Sequence, residues 1–179
     1  MPSKVHPNGW VTLDQELIER CLLFGQQMVA GYAAGRMLCR KVFAEADRDV
    51  QLQALAKMAE CACALYLWLS VDDLDWFGER KNGDGHDLVF RNRYLFDIKH
   101  TEHGRRLIWP VTKNDDYWRK DFNCLALVIG SPPKFEVAGV ISKERFFRQK
   151  EISDGSFLAP GTWWLDRRFL SKPYEVFRE

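Results

Sequence analysis

Apolar residues recur at helical spacing through the first third of the chain. Leu13, Leu17, Cys21, Phe24 and Met28 fall three or four apart, which predicts one helix with a single buried stripe. Thr12 and Gln15 stand in the two capping-box positions before it. Gly31 and Gly35 are expected to end or kink it. A shorter helix is expected from Met37 to Phe43. Asp47 is placed to cap a third helix running to about Leu69, with Leu55, Met58, Ala62, Leu65 and Leu69 along one stripe.

The period then shortens. Residues 72–85 are rich in Asp, Gly and Asn and read as a loop. Asp87–Phe90 and Tyr94–Lys99 follow as two β-rich runs around Arg91, Asn92 and Arg93, the signal of a hairpin. Further strands are expected at Leu107–Pro110, Cys124–Ile129 and Phe135–Ile141, with Pro132 and Pro133 turning between the last two. Ser142 is placed to cap a short helix through Phe147, and Trp163–Leu165 reads as a final strand or packed tail. Helices first, then strands, then short mixed elements imply an α+β or mixed α/β fold.

With 179 residues and 46% hydrophobic side chains, the chain is long enough for one full core and too apolar for disorder. The 26 basic and 25 acidic residues exclude a protein that coats nucleic acid or membrane nonspecifically. The balance is uneven along the chain. Residues 1–90 hold 9 basic and 13 acidic side chains, and residues 91–179 hold 17 and 12. The second half is therefore the one suited to an anionic partner. Cys21, Cys39, Cys61, Cys63 and Cys124 are odd in number and lack zinc-ligand spacing, so they read as reduced, buried small hydrophobes. No apolar h-region opens the chain and no apolar run approaches 18 residues, so the expected setting is cytoplasmic, with no membrane partner.

Four side chains carry candidate chemistry. Glu60 is the only charge in an apolar stretch from Ala59 to Leu69, where an ionised carboxylate is costly unless paired or metal-bound. The alternative places it at the helix edge or against a basic residue. Asp97 interrupts an apolar strand, and Lys99 shares its face. Asp87 opens the preceding strand. A three-residue loop at 91–93 pairs Phe90 with Tyr94 and sets Asp87 opposite Asp97. A two-residue loop at 92–93 sends Asp87 to the other face. Two converging carboxylates call for a cation such as Mg²⁺, and a neighbouring lysine suits activation of the attacking water. The plainer reading is a surface hairpin with an Asp97–Lys99 pair.

Glu60 in a helix, then Gly85, His86 and Asp87, then Phe96, Asp97, Ile98, Lys99, His100 and Thr101, resembles the PD-(D/E)XK nuclease superfamily. Asp97, Ile98 and Lys99 match its D/E-x-K triplet. Asp87 matches the first motif aspartate, Glu60 the helix acid, and His86 stands where the family name has proline. The likeness spans about residues 50–145. It implies a restriction-endonuclease-like core, a mixed β-sheet flanked by helices, over residues 46–179, with residues 1–45 as an N-terminal helical extension packed on it. It also implies Mg²⁺- or Mn²⁺-dependent hydrolysis of DNA. Asp87, Asp97 and the Ile98 carbonyl would hold the metal, Glu60 would join its shell, and Lys99 would activate the water. A homodimer is one way such a protein cuts both strands of a duplex. The small size suggests an accessory protein of a phage or mobile element. The alternative is a non-catalytic nucleic-acid- or protein-binding module on the same fold.

The basic residues after the hairpin, Arg105, Arg106, Lys113, Arg119 and Lys120, are candidates for phosphate contacts, or form a solvated loop with Asp115 and Asp116. Lys143, Arg145, Arg148 and Lys150, with Phe146 and Phe147 between them, suit a DNA-touching or an ordinary amphipathic helix. Trp109 and Trp118 are the two tryptophans considered for base stacking. His100 and His103 are expected to face solvent or DNA rather than a metal.

Overall fold

In the computed structural model, residues 2–33, 46–76, 86–110 and 117–176 are described. The expected helix over Met37–Phe43, Cys39, Gly35, most of the 72–85 loop and Lys113 lie outside them. The first strands, β1 (Lys4–Val5) and β2 (Trp10–Thr12), precede helix α1 (Gln15–Ala33). Thr12 therefore ends a strand, and the cap falls to Asp14, whose Oδ1 accepts the Leu17 N–H at 2.8 Å. Its other oxygen takes the N–H and hydroxyl of Ser3, tying the N-terminus to the helix start. The helix continues through Gly31 rather than ending there.

Helix α2 (Ala46–Tyr66) already contains Asp47, which sits in its first turn. It ends three residues before the expected Leu69. Trp68 takes a left-handed φ of 59°, and the Leu69 N–H returns to the Ala64 carbonyl at 2.9 Å, closing the helix C-terminus. Gly25 permits the close approach of α1 to α2. A Cβ there would lie 2.5 Å from the Val50 carbonyl oxygen.

The strands fall close to where the alternation put them. They are β3 (Leu88–Phe90), β4 (Tyr94–Thr101), β5 (Arg106–Trp109), β6 (Cys124–Ser131) and β7 (Lys134–Ser142). Helix α3 (Lys143–Gln149) starts at Ser142, whose hydroxyl accepts the Arg145 N–H. Strands β8 (Glu151–Ile152) and β9 (Trp163–Asp166) and helix α4 (Pro173–Val176) follow among the described residues.

Six strands form a mixed sheet in the order β1-β2-β7-β6-β4-β3, in which only β4 and β6 run parallel. Strands β5, β9 and β8 form a separate antiparallel sheet. The architecture is thus mixed α/β, as the order of elements implied. Both faces of the central strands are covered, which explains why β6 reads as an unbroken apolar run. Cys124, Ala126 and Val128 join the core under α1 and α2, with Phe96 of β4 and Met58 of α2. Leu125 and Leu127 face the opposite core, with Trp109, Tyr117, Phe146 and Leu165. The described cysteines, Cys21, Cys61, Cys63 and Cys124, are all free and buried.

The β3–β4 loop fixes what the sequence left open. Arg91 and Asn92 take left-handed φ values of 51° and 55°, and the Arg93 N–H returns to the Phe90 carbonyl. Phe90 pairs with Tyr94 and Leu88 with Phe96. This is the three-residue loop, and continuing its register sets Asp87 beside Asp97.

Candidate functional site

Along β4, Phe96 and Ile98 pack toward α1 and α2. Asp97 and Lys99 alternate with them and so project to the other face, toward Leu125, Leu127 and Trp109. Asp97 is only 3% exposed. One of its oxygens is ion-paired with Lys99. The other, Oδ2, is buried without a hydrogen-bond partner, and the Lys120 ammonium stands 3.8 Å from it. Both ammoniums lie over the Trp109 ring, Lys99 at 4.6 Å from the centroid and Lys120 at 5.7 Å.

Asp87 sits just before β3 begins. Its N–H donates to the Phe96 carbonyl, and its Oδ2 accepts the Ile98 N–H at 2.6 Å. The carboxylate therefore extends the hydrogen bonding of β4 beyond the start of β3. Burial, and then the charge of Asp97, push the Asp87 carboxyl above its ordinary range. Lys99, the Ile98 N–H and Lys120 oppose that rise.

Glu60 lies on α2, on the far side of the sheet from Asp97. It is ion-paired with Lys57, three residues earlier on the same helix. Lys57 is itself buried, donates to the Asp75 carbonyl at 2.9 Å and lies 4.5 Å from the Phe24 ring centroid. Burial, with the charge of Asp87 second, pushes the Glu60 carboxyl up to about 8 against the pull of Lys57. Asp87 thus stands electrostatically between Glu60 and Asp97. Among the described residues, no three Asp, Glu, His or Cys side chains gather as a ready metal cage. The Asp87 carboxylate reaches the Ile98 N–H next to Asp97, and Glu60 stays with Lys57.

The Glu60 environment gives a pH dependence. A carboxyl whose folded value lies above its unfolded value of about 4.5 binds more protons when folded. Stability then falls as pH rises from about 4.5 to 8 and levels off above. In chelator, the urea midpoint of the wild-type protein should fall over that interval. Glu60→Gln should flatten the fall. An equally steep fall in the variant would show that Glu60 is not its source.

The basic residues separate on inspection. Arg105 and Arg119 are exposed. Arg106 is also exposed and, with Lys99, His100 and Ile108, lines a cleft of about 300 Å³ between β4 and β5. Lys120, expected at phosphates, is instead directed at Asp97. Lys143 is buried and donates to the Lys120 carbonyl at 2.7 Å, so it does not belong to a surface cluster. Trp109 is fully buried and cannot stack on a base, whereas Trp118 is 54% exposed. His100 turns inward rather than to solvent, with its Nε2 2.7 Å from the Gly130 carbonyl and its ring beside Phe135. His103 is exposed.

Comparison with family models, with curated protein sequences and with solved structures returns no match. Any function must therefore be argued from the site itself. No helix among the described residues is long and apolar enough to cross a membrane.

Two participants hold places other than those the sequence suggested for them. Lys120 meets Asp97 only through the fold, 23 residues away, and carries no local signal. The ring under both lysines is Trp109. Its place on the inner face of β5, paired with Trp163, follows from alternation once the β5–β9 register is known.

Proposed function

We propose that the protein is a metal-dependent phosphodiesterase acting on DNA. The observation that supports this best is the Asp87 carboxylate bonded at the Ile98 N–H, next to Asp97, with one buried Asp97 oxygen left without a hydrogen bond. An acceptor-only oxygen in that state carries a desolvation cost that a cation would remove. The residues fit a hard divalent ion such as Mg²⁺ or Mn²⁺: Asp87 and Asp97 would hold it, with the Ile98 carbonyl as a third oxygen, while Glu60 remains with Lys57 across the sheet. Bound there, such an ion supplies positive charge against the phosphate and acidifies its water.

This chain's own side chains have separable tasks. Lys99, alternating with Asp97 on one strand face, lines the cleft from below and is set to orient the attacking water and meet charge on the phosphate oxygens. Lys120 offsets the charge of Asp97. Trp109 fixes both ammoniums from beneath. Arg106 supplies a second cation at the cleft for the phosphate.

A Mn²⁺ titration followed by electron paramagnetic resonance tests the metal assignment without needing a substrate. Wild-type protein should take up the ion, and Asp87→Asn and Asp97→Asn should each weaken uptake at least tenfold. Undiminished uptake in both variants would overturn the assignment.

A second reading rests on the same contacts. Lys99 holds Asp97, the Ile98 N–H holds Asp87 and Lys57 holds Glu60, so the cluster is largely balanced as it stands. On that reading the cleft binds nucleic acid without cutting it, as an inhibitor or accessory protein would. Binding would then survive Asp97→Asn, and no cleavage would accompany it.

A further inference from the structure

The outer face of the small sheet carries a cation held by aromatic rings. Arg106 and Ile108 of β5 project outward, because Leu107 and Trp109 fill the inner core. Opposite them on β9, Trp164 pairs with Ile108 and Asp166 with Arg106. The Arg106 guanidinium lies 4.4 Å from the ring centroid of Phe157 and 4.9 Å from that of Trp164. The two rings meet edge to face at 5.2 Å, and Phe157 is 46% exposed. Asp166, the cross-strand neighbour of Arg106, turns its carboxylate to the Arg168 N–H instead. No carboxylate among the described residues pairs with Arg106, so its hydrogen-bonding fork stays available while its plane is held.

This cation also lines the cleft that contains Lys99. Arg106 therefore borders both the aromatic rings and the cleft. Rings and arginine planes recognise bases only when those bases are unpaired, whereas a duplex offers this surface phosphates alone.

We infer that Phe157, Trp164 and Arg106 form a stacking platform for single-stranded nucleic acid, which leads the strand into the Lys99 cleft. The inference rests on the reading of the site as one that acts on nucleic acid, and it names the strand form taken. One base stacks on the exposed Phe157 face, and the adjoining phosphate is received by the Arg106 fork. Trp164 holds the guanidinium from the sheet side.

Fluorescence anisotropy in chelator tests this apart from catalysis, since no cleavage can occur there. The probes are one labelled oligonucleotide of mixed sequence and the same oligonucleotide annealed to its complement. Wild-type protein should bind the single strand about tenfold more tightly than the duplex. Phe157→Ala should weaken single-strand binding about tenfold and leave duplex binding within about twofold. Phe157→Trp, which keeps a ring at this exposed position, should retain wild-type affinity and so serve as the folding control. Arg106→Lys keeps the charge but loses the plane, and should lose most of the preference for the single strand. Equal affinity of the wild type for the two forms, or unchanged single-strand affinity in Phe157→Ala, would overturn the platform. If the protein fails to cleave DNA in Mg²⁺ yet shows this preference, the catalytic reading falls and the platform stands.

Discussion

Lys99→Met should still fold, less stably than the wild type because the buried Asp97 loses its closest ion-pair partner, and should cleave DNA about 10²- to 10⁴-fold more slowly in Mg²⁺, the range for removing a group that moves or positions a proton. The side chain is 18% exposed and ends over the Trp109 ring. A methionine follows the same path without the charge, so little packing is lost. Asp97 keeps the Lys120 ammonium as its remaining cation. Steady-state kinetics separate the roles of Lys99. If it acts in the transition state, kcat falls and KM changes little. Lys99→Arg would then restore charge but not rate, because guanidinium does not give up a proton at usable pH. A rise in KM alone would reduce Lys99 to a phosphate contact.

Trp109→Ala should cost about 3–5 kcal/mol of unfolding free energy, the usual range for deleting a fully buried large aromatic. The ring has no exposed surface. It meets Tyr117 edge to face at 4.9 Å and lies tilted against Phe122 at 5.5 Å. Both contacts belong to the core between the two sheets, where Trp109, Tyr117, Phe122 and Phe146 are the buried aromatic residues. Urea denaturation checks the value. Trp109→Phe should lose less, because most of the apolar volume remains. Trp109→Phe should also disturb the two ammoniums above the ring, so its cleavage rate should drop even though the fold persists. A loss under 1 kcal/mol in Trp109→Ala would mean that the small sheet does not depend on this ring.

The parts of the fold that were legible share one property: the signal is local. Strand β6 is an unbroken apolar run because both faces are covered, and Ser142 caps α3 because its hydroxyl reaches a free N–H three residues on. The N-terminal strands were not legible. They have two and three residues, gain their pairing from the edge of β7, and contain too little alternation to register. The capping box at Thr12 failed because the strand continues through Thr12, leaving Asp14 as the nearest oxygen to the helix start.

The candidate site divides the same way. The Asp97–Lys99 pairing follows from strand alternation alone. The placement of Asp87 depended on the turn, and Arg91–Asn92 is not the Asn-Gly pair that announces two left-handed residues. Glu60 was recognisable as a buried charge, and Lys57, three residues back on the same helix, was within reach of simple helix geometry. Lys120, Trp109 and Phe157 reach the site only through tertiary contacts, and no spacing in the sequence encodes them.

The most direct measurement of the central claim is cleavage itself. Labelled single-stranded, double-stranded and branched DNA would be incubated with the wild-type protein and with Asp97→Asn, in Mg²⁺, in Mn²⁺ and in chelator. The geometry leads to cleavage of at least one form by the wild type, abolished by chelator and by the substitution. No cleavage of any form by the wild type in either metal, or equal cleavage by Asp97→Asn, would contradict it.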